Sequence, residues 1–366
     1  WGRTDLIPLW VADMDFATAP FVTDAIRKRC ENEVLGYTGK PDSYYNAIIN
    51  WVKQRYDLIV TKEVINFVPG IVPGIGMAMN CFTQKGDKVM IQPPVYHPFA
   101  WVTTRNERTL VINPLRWENG MYRMDLDAFR EQIKGCKLFI LCNPHNPGGV
   151  VWTEAELRAI ADICYDEKVL VFSDEIHADL TLPPHTHRPF ATVSEKARMN
   201  SVTFMSPSKA FNMPGLSASH ALIFNEDLRK RFRIYMDAGE LDMGHVFAFL
   251  SVEAAYSHGT EWLDQCLAYI QGNIDFVDEF LKKHAPKIKA IRPEASYLVW
   301  LDCRELELSQ KDLNEFFVDK AHLALNDGEM FGKEGIGFMR LNVASPRCII
   351  EKAMKQLADA YQLYIK

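Results

Sequence analysis

The sequence lacks the features that mark several classes of protein. Its 366 residues carry 41 basic and 47 acidic side chains, a net charge of -6, and no stripe rich in Lys and Arg. Nucleic acids and anionic membrane surfaces attract proteins through such stripes, so we expect neither as a partner. No apolar stretch approaches the roughly 20 residues that a membrane-spanning helix needs. We therefore expect a partner that is a small molecule.

Cysteine and histidine form no recognisable disulfide or metal-binding motif. The eight cysteines include no CxxC pair, and several lie in apolar runs such as KLFILC (137–142), which is typical of buried thiols. The ten histidines include no HExxH motif, and HTH (185–187) is only a weak indication of a metal site. We predict no metal. The first residues, WGRTDLIPLW, contain no signal-peptide pattern, so we expect a cytoplasmic protein.

The clearest positive pattern is a series of short apolar runs that begins near residue 86. The runs are KVMIQ (88–92), LVIN (110–113), KLFILC (137–142), VLVFS (169–173), SVTFM (201–205) and ALIF (221–224). Such runs are typical of strands buried on both faces. Helical patterns lie between them, and TEAELRAIADICYDE (153–167) begins with a capping box of Thr153 and Glu156. Alternating strands and helices predict an α/β fold with a largely parallel sheet.

The pattern changes after about residue 258, which predicts a second, smaller unit. The segment EWLDQCLAYIQGNIDFVDEFLKKH (261–284) is a long amphipathic helix pattern. The elements predicted after it are strands near 288–292, 297–302 and 338–343 and a closing helix from about 348. We predict a large domain over residues 37–258 and a smaller α+β domain formed by residues 1–36 and 259–366. A chain of this length suits two unequal domains.

Polar side chains follow four of the apolar runs. In an open α/β sheet, ligands bind beyond the carboxyl ends of the strands. The candidates at these ends are Tyr96, Asn143, His145, Asn146, Asp174, His177, Ser206, Ser208 and Lys209. Upstream, VPGIVPGIGMAMNCF (68–82) predicts a glycine turn and a helix whose first N–H groups can bind a phosphate.

Each candidate alone has an ordinary explanation as a turn residue, a helix cap or part of the core. Together they meet the requirements of pyridoxal phosphate. This cofactor needs a lysine for its Schiff base and a carboxylate beside its ring nitrogen. It also needs a donor to its phenolic oxygen, an aromatic side chain against its ring and a cradle for its phosphate.

The motifs around these residues resemble those of a known family, over essentially the whole chain. The motifs are WVADMDFATAP (10–20), GYT (36–38), CNPHNPGG (142–149), SDEIHADL (173–180), SKAFNMPG (208–215) and RLNVASPR (340–347). They resemble the fold-type I, aspartate-aminotransferase-like enzymes, and within these the MalY/PatB-type cystathionine β-lyase (C–S lyase) branch. The resemblance implies a mostly parallel seven-stranded sheet flanked by helices, a smaller α+β domain, and a homodimer with its active site at the subunit interface.

The resemblance also implies roles for individual residues around the cofactor ring. Lys209 would hold pyridoxal phosphate and move the Cα proton of the substrate. Asp174 would lie beside the ring nitrogen, and Tyr96 would stack on the ring. Asn146 would donate to the phenolic oxygen, with His177 nearby.

Further roles concern the phosphate and the substrate. The phosphate contacts implied are the backbone N–H groups of Ile71 and Val72, the hydroxyls of Ser206 and Ser208, and Tyr37 from a second subunit. Arg340 would bind the α-carboxylate of the substrate. Asn143 is a weaker candidate for the surround of the substrate or the cofactor, and Asp13 to Asp15 are still weaker candidates for closing the pocket. Ser217 stands where aminotransferases carry an arginine, which leaves less positive charge for the phosphate.

The residues do not separate elimination from transamination, because the cofactor chemistry is otherwise shared. The resemblance favours α,β-elimination from L-cystathionine, L-cystine or L-cysteine, which gives pyruvate, ammonia and a thiol (homocysteine or hydrogen sulfide). One alternative is a class I/II aminotransferase. Another is a MalY-like regulatory protein with vestigial lyase activity, which would carry an exposed apolar patch away from the cleft.

Overall fold

The structure is a computed structural model that describes residues 2–364. The predicted small domain also includes Trp1 and residues 365–366, which lie outside the described residues. The strands of the described part are β1 (Ile7–Pro8), β2 (Ile65–Val68), β3 (Lys88–Ile91), β4 (Thr109–Ile112), β5 (Arg116–Glu118), β6 (Met121–Arg123), β7 (Cys136–Cys142), β8 (Leu170–Asp174), β9 (Ser201–Met205), β10 (Ser219–Leu222), β11 (Lys289–Ile291), β12 (Leu298–Asp302), β13 (Leu323–Ala324), β14 (Asn326–Asp327) and β15 (Phe338–Asn342).

Helices flank these strands along the chain. The α-helices of the described part are α1 (Pro20–Cys30), α2 (Asp42–Tyr56), α3 (Ile71–Phe82), α4 (Pro98–Arg105), α5 (Leu126–Gln132), α6 (Glu154–Asp166), α7 (Glu195–Met199), α8 (Glu226–Ala238), α9 (Val246–His258), α10 (Thr260–His284), α11 (Gln310–Glu315) and α12 (Arg347–Tyr364). None of the helices within residues 2–364 combines the length and the apolar character needed to cross a membrane.

The largest sheet has seven strands in the order β2-β10-β9-β8-β7-β3-β4. In this sheet β10 runs antiparallel to both of its neighbours and the other pairs are parallel, which confirms the predicted, mostly parallel seven-stranded sheet. Each of the six apolar runs overlaps one of its strands. The seventh, β2, has only four residues, and the polar Asn66 interrupts its apolar pattern, so the sequence did not reveal it.

The capping box predicted at the start of α6 is present. The Thr153 hydroxyl accepts a hydrogen bond from the backbone N–H of Glu156 at 3.2 Å, and the Glu156 carboxylate accepts from the backbone N–H of Thr153 at 2.9 Å. The buried residues of this helix pack against strand residues such as Phe139 and Val171. The cap and the apolar face therefore fix the β7–α6–β8 unit, which ends at Asp174.

Close packing brings the start of α3 to the carboxyl edge of the sheet. A Cβ atom on Gly74 would lie 2.9 Å from Val68 Cγ2 and 3.2 Å from the ring of Phe204. Only a glycine allows the helix to approach the sheet this closely. The predicted glycine turn is also present, because Gly70, just before α3, has φ +116.

A second, antiparallel sheet has the order β11-β12-β15-β14. It contains the three short strands predicted near the carboxyl terminus, and α10 and α12 match the two helices predicted there. The N-terminal segment joins this region, since β1 pairs in parallel with β13. The boundary expected at residue 258 falls between α9 and α10, and the division into two domains stays a prediction.

Candidate active site

A cavity of about 210 Å³ lies at the carboxyl edge of the parallel strands. Residues from several strand ends line it together with the first turn of α3. The sequence-predicted residues in its lining are Ile71, Val72, Tyr96, Asn146, Asp174, His177, Ser208 and Lys209. The structure therefore brings most of the predicted site into one enclosure, although these residues are far apart in the sequence.

Asp174 is the last residue of β8 and is buried at the floor of the site. Within the described residues, its one side-chain hydrogen bond comes from the backbone N–H of Ile176 at 3.1 Å. Burial raises the pKa of this carboxyl from 3.8 to about 7, and the neighbouring charge of Glu175 acts in the same direction. A cation placed beside Asp174 would oppose this effect and favour the ionised carboxylate.

Glu175 holds the turn that carries Asp174. Its carboxylate accepts hydrogen bonds from the Ser173 hydroxyl at 2.8 Å and from the backbone N–H of Phe190 at 2.8 Å. The second carboxylate oxygen lies 2.8 Å from Nε2 of His187, a residue of the HTH motif. These buried bonds rigidify the end of β8. The motif that gave a weak indication of a metal site thus takes part in a hydrogen-bonded contact inside the fold.

Lys209 lies in the turn that follows β9 and is partly buried. Its ammonium group donates to the backbone oxygen of Ala12, a residue that also lines the cavity. Burial lowers the pKa of Lys209 to about 8, and the charge of Arg340 acts in the same direction. A lysine with this pKa is partly neutral near physiological pH, so it can act as a nucleophile and as a base.

The segment around Asp13 to Asp15 is tied to the turn of Lys209. The Asn212 side chain donates to the backbone oxygens of Met14 and Phe16, and it accepts from the backbone N–H of Met14. Of this N-terminal segment, Ala12 lines the cavity and contacts Lys209, whereas Asp13 to Asp15 lie outside the lining.

The first turn of α3 offers unpaired donors to the cavity. The first N–H groups of a helix have no acceptor within the helix, and no side chain of residues 2–364 caps this one. Ile71 and Val72 line the cavity at this point, together with Ser208, Ser217 and Ser219. A helix start with free N–H groups and nearby hydroxyls is suited to an anionic group.

The serines differ from the prediction in part. Ser206 lies outside the lining, because its hydroxyl donates to the backbone oxygen of Ala218 at 2.8 Å and accepts from the N–H of Ser208 at 3.1 Å. Ser219, which the sequence did not reveal, lines the cavity instead. The reason is topological: β10 is antiparallel, so its first residue reaches the edge where the other strands end. Ser219 could therefore be predicted only if the direction of β10 were known.

Arg340 is buried on β15, next to the cavity. Its guanidinium donates to the Asn146 side-chain oxygen at 3.0 Å, to the backbone oxygen of Trp10 at 3.1 Å and to the side-chain oxygen of Asn326. Burial lowers its pKa to about 10, so the group remains cationic at neutral pH. The bond to Asn146 joins this cation to the lining of the cavity.

Asn143 and Tyr37 lie outside the cavity lining. The Asn143 side chain donates to the backbone oxygen of Arg188 at 3.2 Å, so it supports the loop rather than the cavity. Tyr37 is 98% exposed, and the side chains of Val34 and Leu35 in the same segment are exposed as well. It therefore makes no contact with the cavity of its own chain.

The site as a whole has several groups whose partners are incomplete within the described residues. The buried Nδ1 of His177 and Nε of Arg340 have no hydrogen-bond partner there, and burial lowers the pKa of His177 to about 3. Asp174 faces the cavity without an ion pair, and the start of α3 provides free N–H groups. These features fit a ligand that is anionic at one end and carries a protonated nitrogen at the other.

Comparisons with known proteins agree with this geometry. A family model described as aminotransferase class I and II matches residues 4–357. Cystathionine β-lyase PatB of Bacillus subtilis is 38% identical over 98% of this chain and 94% of its own. Cystalysin of Treponema denticola, solved with pyridoxal 5'-phosphate, has 34% identity and a TM-score of 0.96 over 100% of this chain and 93% of its own.

A further solved relative is the pyridoxal-phosphate-bound C–S lyase of Staphylococcus hominis. It has 35% identity and a TM-score of 0.91 over 98% of this chain and 92% of its own. These similarities extend over nearly the full length of both partners and include the region of each motif. The chain therefore belongs to the class I and II aminotransferase family and, within it, to the branch that contains PatB.

Proposed function

We propose that this chain is a pyridoxal-phosphate-dependent carbon–sulfur β-lyase. It converts L-cystathionine, L-cystine or L-cysteine, with one water, into pyruvate, ammonia and a sulfur product, which is homocysteine, a persulfide or hydrogen sulfide respectively. The observation that carries the proposal is the meeting of Lys209 and Asp174 in one cavity with the start of α3. Relatives described as a cystathionine β-lyase and as a C–S lyase support the choice of reaction.

The buried groups of the cavity suit this cofactor. Pyridoxal phosphate supplies an electron sink when the Cα–H bond of an amino acid is broken. Lys209 holds the cofactor and takes the Cα proton, a role that its lowered pKa supports. Asp174 keeps the ring nitrogen protonated, and Tyr96 packs against the ring. Asn146 donates to the phenolic oxygen, and His177 lies beside it.

Separate groups of residues bind the phosphate of the cofactor and the α-carboxylate of the substrate. The backbone N–H groups of Ile71 and Val72 and the hydroxyl of Ser208 bind the phosphate, and Ser206 positions Ser208 through its hydrogen bond. Arg340 binds the α-carboxylate of the substrate, because a planar guanidinium forms two parallel hydrogen bonds with a carboxylate. Asn143 acts at a distance, by supporting the loop that carries Asn146.

The proposal includes a homodimer in the cytoplasm. Tyr37 of one subunit reaches the phosphate of the other, and its full exposure beside Val34 and Leu35 supports such an interface. All eight cysteines are free thiols. Free thiols in this number are typical of proteins in a reducing compartment.

The experiment is an assay of the purified protein, loaded with pyridoxal phosphate, on L-cystathionine. We expect equal amounts of pyruvate and free thiol, and Lys209→Ala protein serves as the blank. The family model itself supports one other candidate, an aminotransferase. That activity would appear as exchange of the amino group with an added keto acid, without pyruvate from cystathionine. Such a result would replace the lyase with the aminotransferase.

A further inference from the structure

A buried tyrosine shares a hydrogen-bond acceptor with the lysine of the candidate active site. Tyr297 lies directly before β12, is fully buried and lies outside the cavity lining. Its hydroxyl donates to the backbone oxygen of Ala12 at 3.0 Å, and the ammonium group of Lys209 donates to the same oxygen. The cofactor and substrate contacts described above give Tyr297 no role.

The shared oxygen places the tyrosine close behind the lysine. Ala12 and Lys209 both line the cavity, whereas Tyr297 contacts Ala12 from the buried side. Two donors that share one acceptor lie within about 6 Å of each other, because each hydrogen bond spans about 3 Å. A single carbonyl oxygen therefore separates the hydroxyl of Tyr297 from the amine of Lys209.

Side chains rather than regular structure hold the segment that carries this oxygen. Residues 10–14 form neither helix nor strand. Asn342 donates to the backbone oxygens on either side of Ala12, those of Val11 at 2.7 Å and Asp13 at 2.6 Å. One amide side chain therefore fixes the peptide groups that flank Ala12.

Tyr297 supplies the corresponding contact at Ala12. Within residues 2–364, the Ala12 oxygen has two hydrogen-bond partners, Tyr297 and Lys209. Tyr297 is itself held in place, since its backbone oxygen accepts from the N–H of Val343 at 2.9 Å. Once Lys209 is linked to the cofactor, Tyr297 is the partner that remains on the Ala12 oxygen.

The Tyr297 hydroxyl is a permanent donor. Burial raises its pKa far above the ordinary value, so the hydroxyl keeps its proton and takes no part in acid–base chemistry. A buried tyrosine hydroxyl needs an acceptor for stability alone, and any free backbone oxygen can serve. Here the acceptor is an oxygen of the cavity wall that also binds the amine of Lys209. This shared contact points to a role in holding that amine.

Lys209 needs a fixed place when its amine is free. In the proposed reaction the amine of the substrate replaces Lys209 on the cofactor, and Lys209 then takes the Cα proton. A free amine on a flexible four-carbon side chain can adopt many rotamers, and an acceptor for its N–H groups limits them. The Ala12 oxygen is such an acceptor at the wall of the cavity.

We propose that Tyr297 is a positioning residue that, together with Asn342, fixes the Ala12 oxygen as the place where the free amine of Lys209 is held. The inference rests on the proposed function, in which Lys209 moves the Cα proton. It adds a residue that touches neither cofactor nor substrate and acts on the reaction through one peptide group.

Tyr297→Phe tests the inference, because it removes the hydroxyl and keeps the ring. The probe is L-alanine, which has no leaving group, so exchange of its Cα proton in deuterium oxide reports proton removal alone and can be followed by proton NMR. The loss of one neutral hydrogen bond corresponds to about a threefold to tenfold change in rate. The variant should exchange the proton more slowly by this factor, with an unchanged KM for alanine.

A second measurement uses the cofactor-free protein. When pyridoxal phosphate is added, the visible absorbance of the bound cofactor should appear about threefold to tenfold more slowly in Tyr297→Phe than in the wild type. The reason is that the same amine of Lys209 must be positioned to attack the aldehyde of the cofactor.

Tyr122→Phe is the matched control. Tyr122 is also buried, and its hydroxyl donates to the backbone oxygen of Glu334 at 3.3 Å, outside the cavity lining. This variant should lose stability, as Tyr297→Phe should, and keep both rates at the wild-type level. Wild-type rates in Tyr297→Phe, or equal losses of rate in the two variants, overturn the inference.

Asn342→Ala provides a second variant, since it frees the peptide groups that flank Ala12 and should slow both rates in the same way. It decides the matter where Tyr297→Phe does not fold, and wild-type rates in this variant also overturn the inference. A wild type that exchanges the alanine proton but releases no pyruvate from cystathionine overturns the lyase reaction alone. A wild type that binds no pyridoxal phosphate overturns the proposed function and this inference together.

Discussion

Asp174 and Lys209 come from neighbouring strands, β8 and β9, and burial in their shared cavity moves their two pKa values toward each other. The pKa of Asp174 is raised to about 7, and the pKa of Lys209 is lowered to about 8. Neither group has a close ionic partner in the described residues. The site therefore holds two costly buried groups, an arrangement that serves ligand binding at the expense of stability.

The first prediction concerns Asp174→Asn in the cofactor-free protein. The pKa of Asp174 is about 7 in the folded protein, compared with the ordinary value of 3.8 that applies to the unfolded chain. Between these two pH values, the folded protein therefore keeps a proton that the unfolded chain has lost. Its stability should therefore fall as the pH rises from about 4 to 7. The asparagine variant lacks this decline, so at pH 7.5 its Tm should exceed that of the wild type.

The gain in the free energy of unfolding that we expect from Asp174→Asn has an upper limit. One pKa unit corresponds to about 1.4 kcal/mol, so the variant gains a few kcal/mol at most. Asparagine can still accept the hydrogen bond from the N–H of Ile176, which keeps the turn intact. Asp162→Asn, on the exposed face of α6, should leave the pH profile of Tm unchanged. A pH profile of Asp174→Asn parallel to that of the wild type would contradict the buried, unpaired state of this carboxyl.

The second prediction concerns Lys209→Ala. The variant should lose the visible absorbance of bound pyridoxal phosphate after gel filtration, because the covalent link is gone. It should also lose lyase turnover by at least about 10²–10⁴-fold, the usual contribution of an acid–base group. Lys230→Ala on α8, an exposed lysine paired with Glu226, is the control and should match the wild type in both measurements. Retained absorbance together with normal turnover would remove Lys209 from the mechanism.

Much of the fold and site could be predicted from the sequence, because both depend on local patterns. The buried strands of the central sheet are continuous apolar runs, and the polar residues that follow a parallel strand must lie at one edge. For this reason the sequence alone predicts that Tyr96, Asn146, Asp174 and Lys209 lie together. The capping box of α6 depends on only four consecutive residues and was also predictable.

The rest depends on contacts between distant parts of the chain. The position of Ser219 follows from the antiparallel direction of β10, which no residue pattern of that strand indicates. The inward hydrogen bonds of Ser206 result from the turn that brings Ala218 against it. The backbone contact of Ala12 with Lys209 joins the N-terminal segment to the middle of the chain. Short strands such as β13 and β14 contain two residues each, too few for a periodic pattern.

The third prediction concerns Arg340. Replacement by Ala should lower kcat/KM for amino-acid substrates by at least about a hundredfold, because two hydrogen bonds to a charged carboxylate are lost. The loss should appear mainly as a higher KM. Since Asn146 and Asn326 also lose a donor, Arg340→Lys provides a second variant that keeps the positive charge without the planar fork.

The lysine variant should retain folding and absorbance and lose most of the same kcat/KM. Arg158→Ala is the control for general effects of removing an arginine. Arg158 is exposed on α6, where it forms a surface ion pair with Glu154. An unchanged KM in both Arg340 variants would move the carboxylate site to another residue. A loss of cofactor absorbance in Arg340→Lys would show that the residue supports the cofactor pocket instead.

The last prediction tests whether Tyr37 completes the site of a partner subunit. Tyr37→Ala protein and Lys209→Ala protein should each have little activity, because one lacks the phosphate contact and the other the lysine. In a mixed dimer, one of the two sites combines the Lys209 of one chain with the Tyr37 of the other and is intact. Random mixing after mild denaturation should therefore restore up to about a quarter of the wild-type activity in a twofold-symmetric dimer. The control is Tyr364→Ala, which removes an exposed tyrosine on α12. This variant should be active by itself, without mixing with another variant. If Tyr37→Ala subunits gain nothing from the mixture, while size measurements show that mixed dimers have formed, Tyr37 acts within its own chain or not at all.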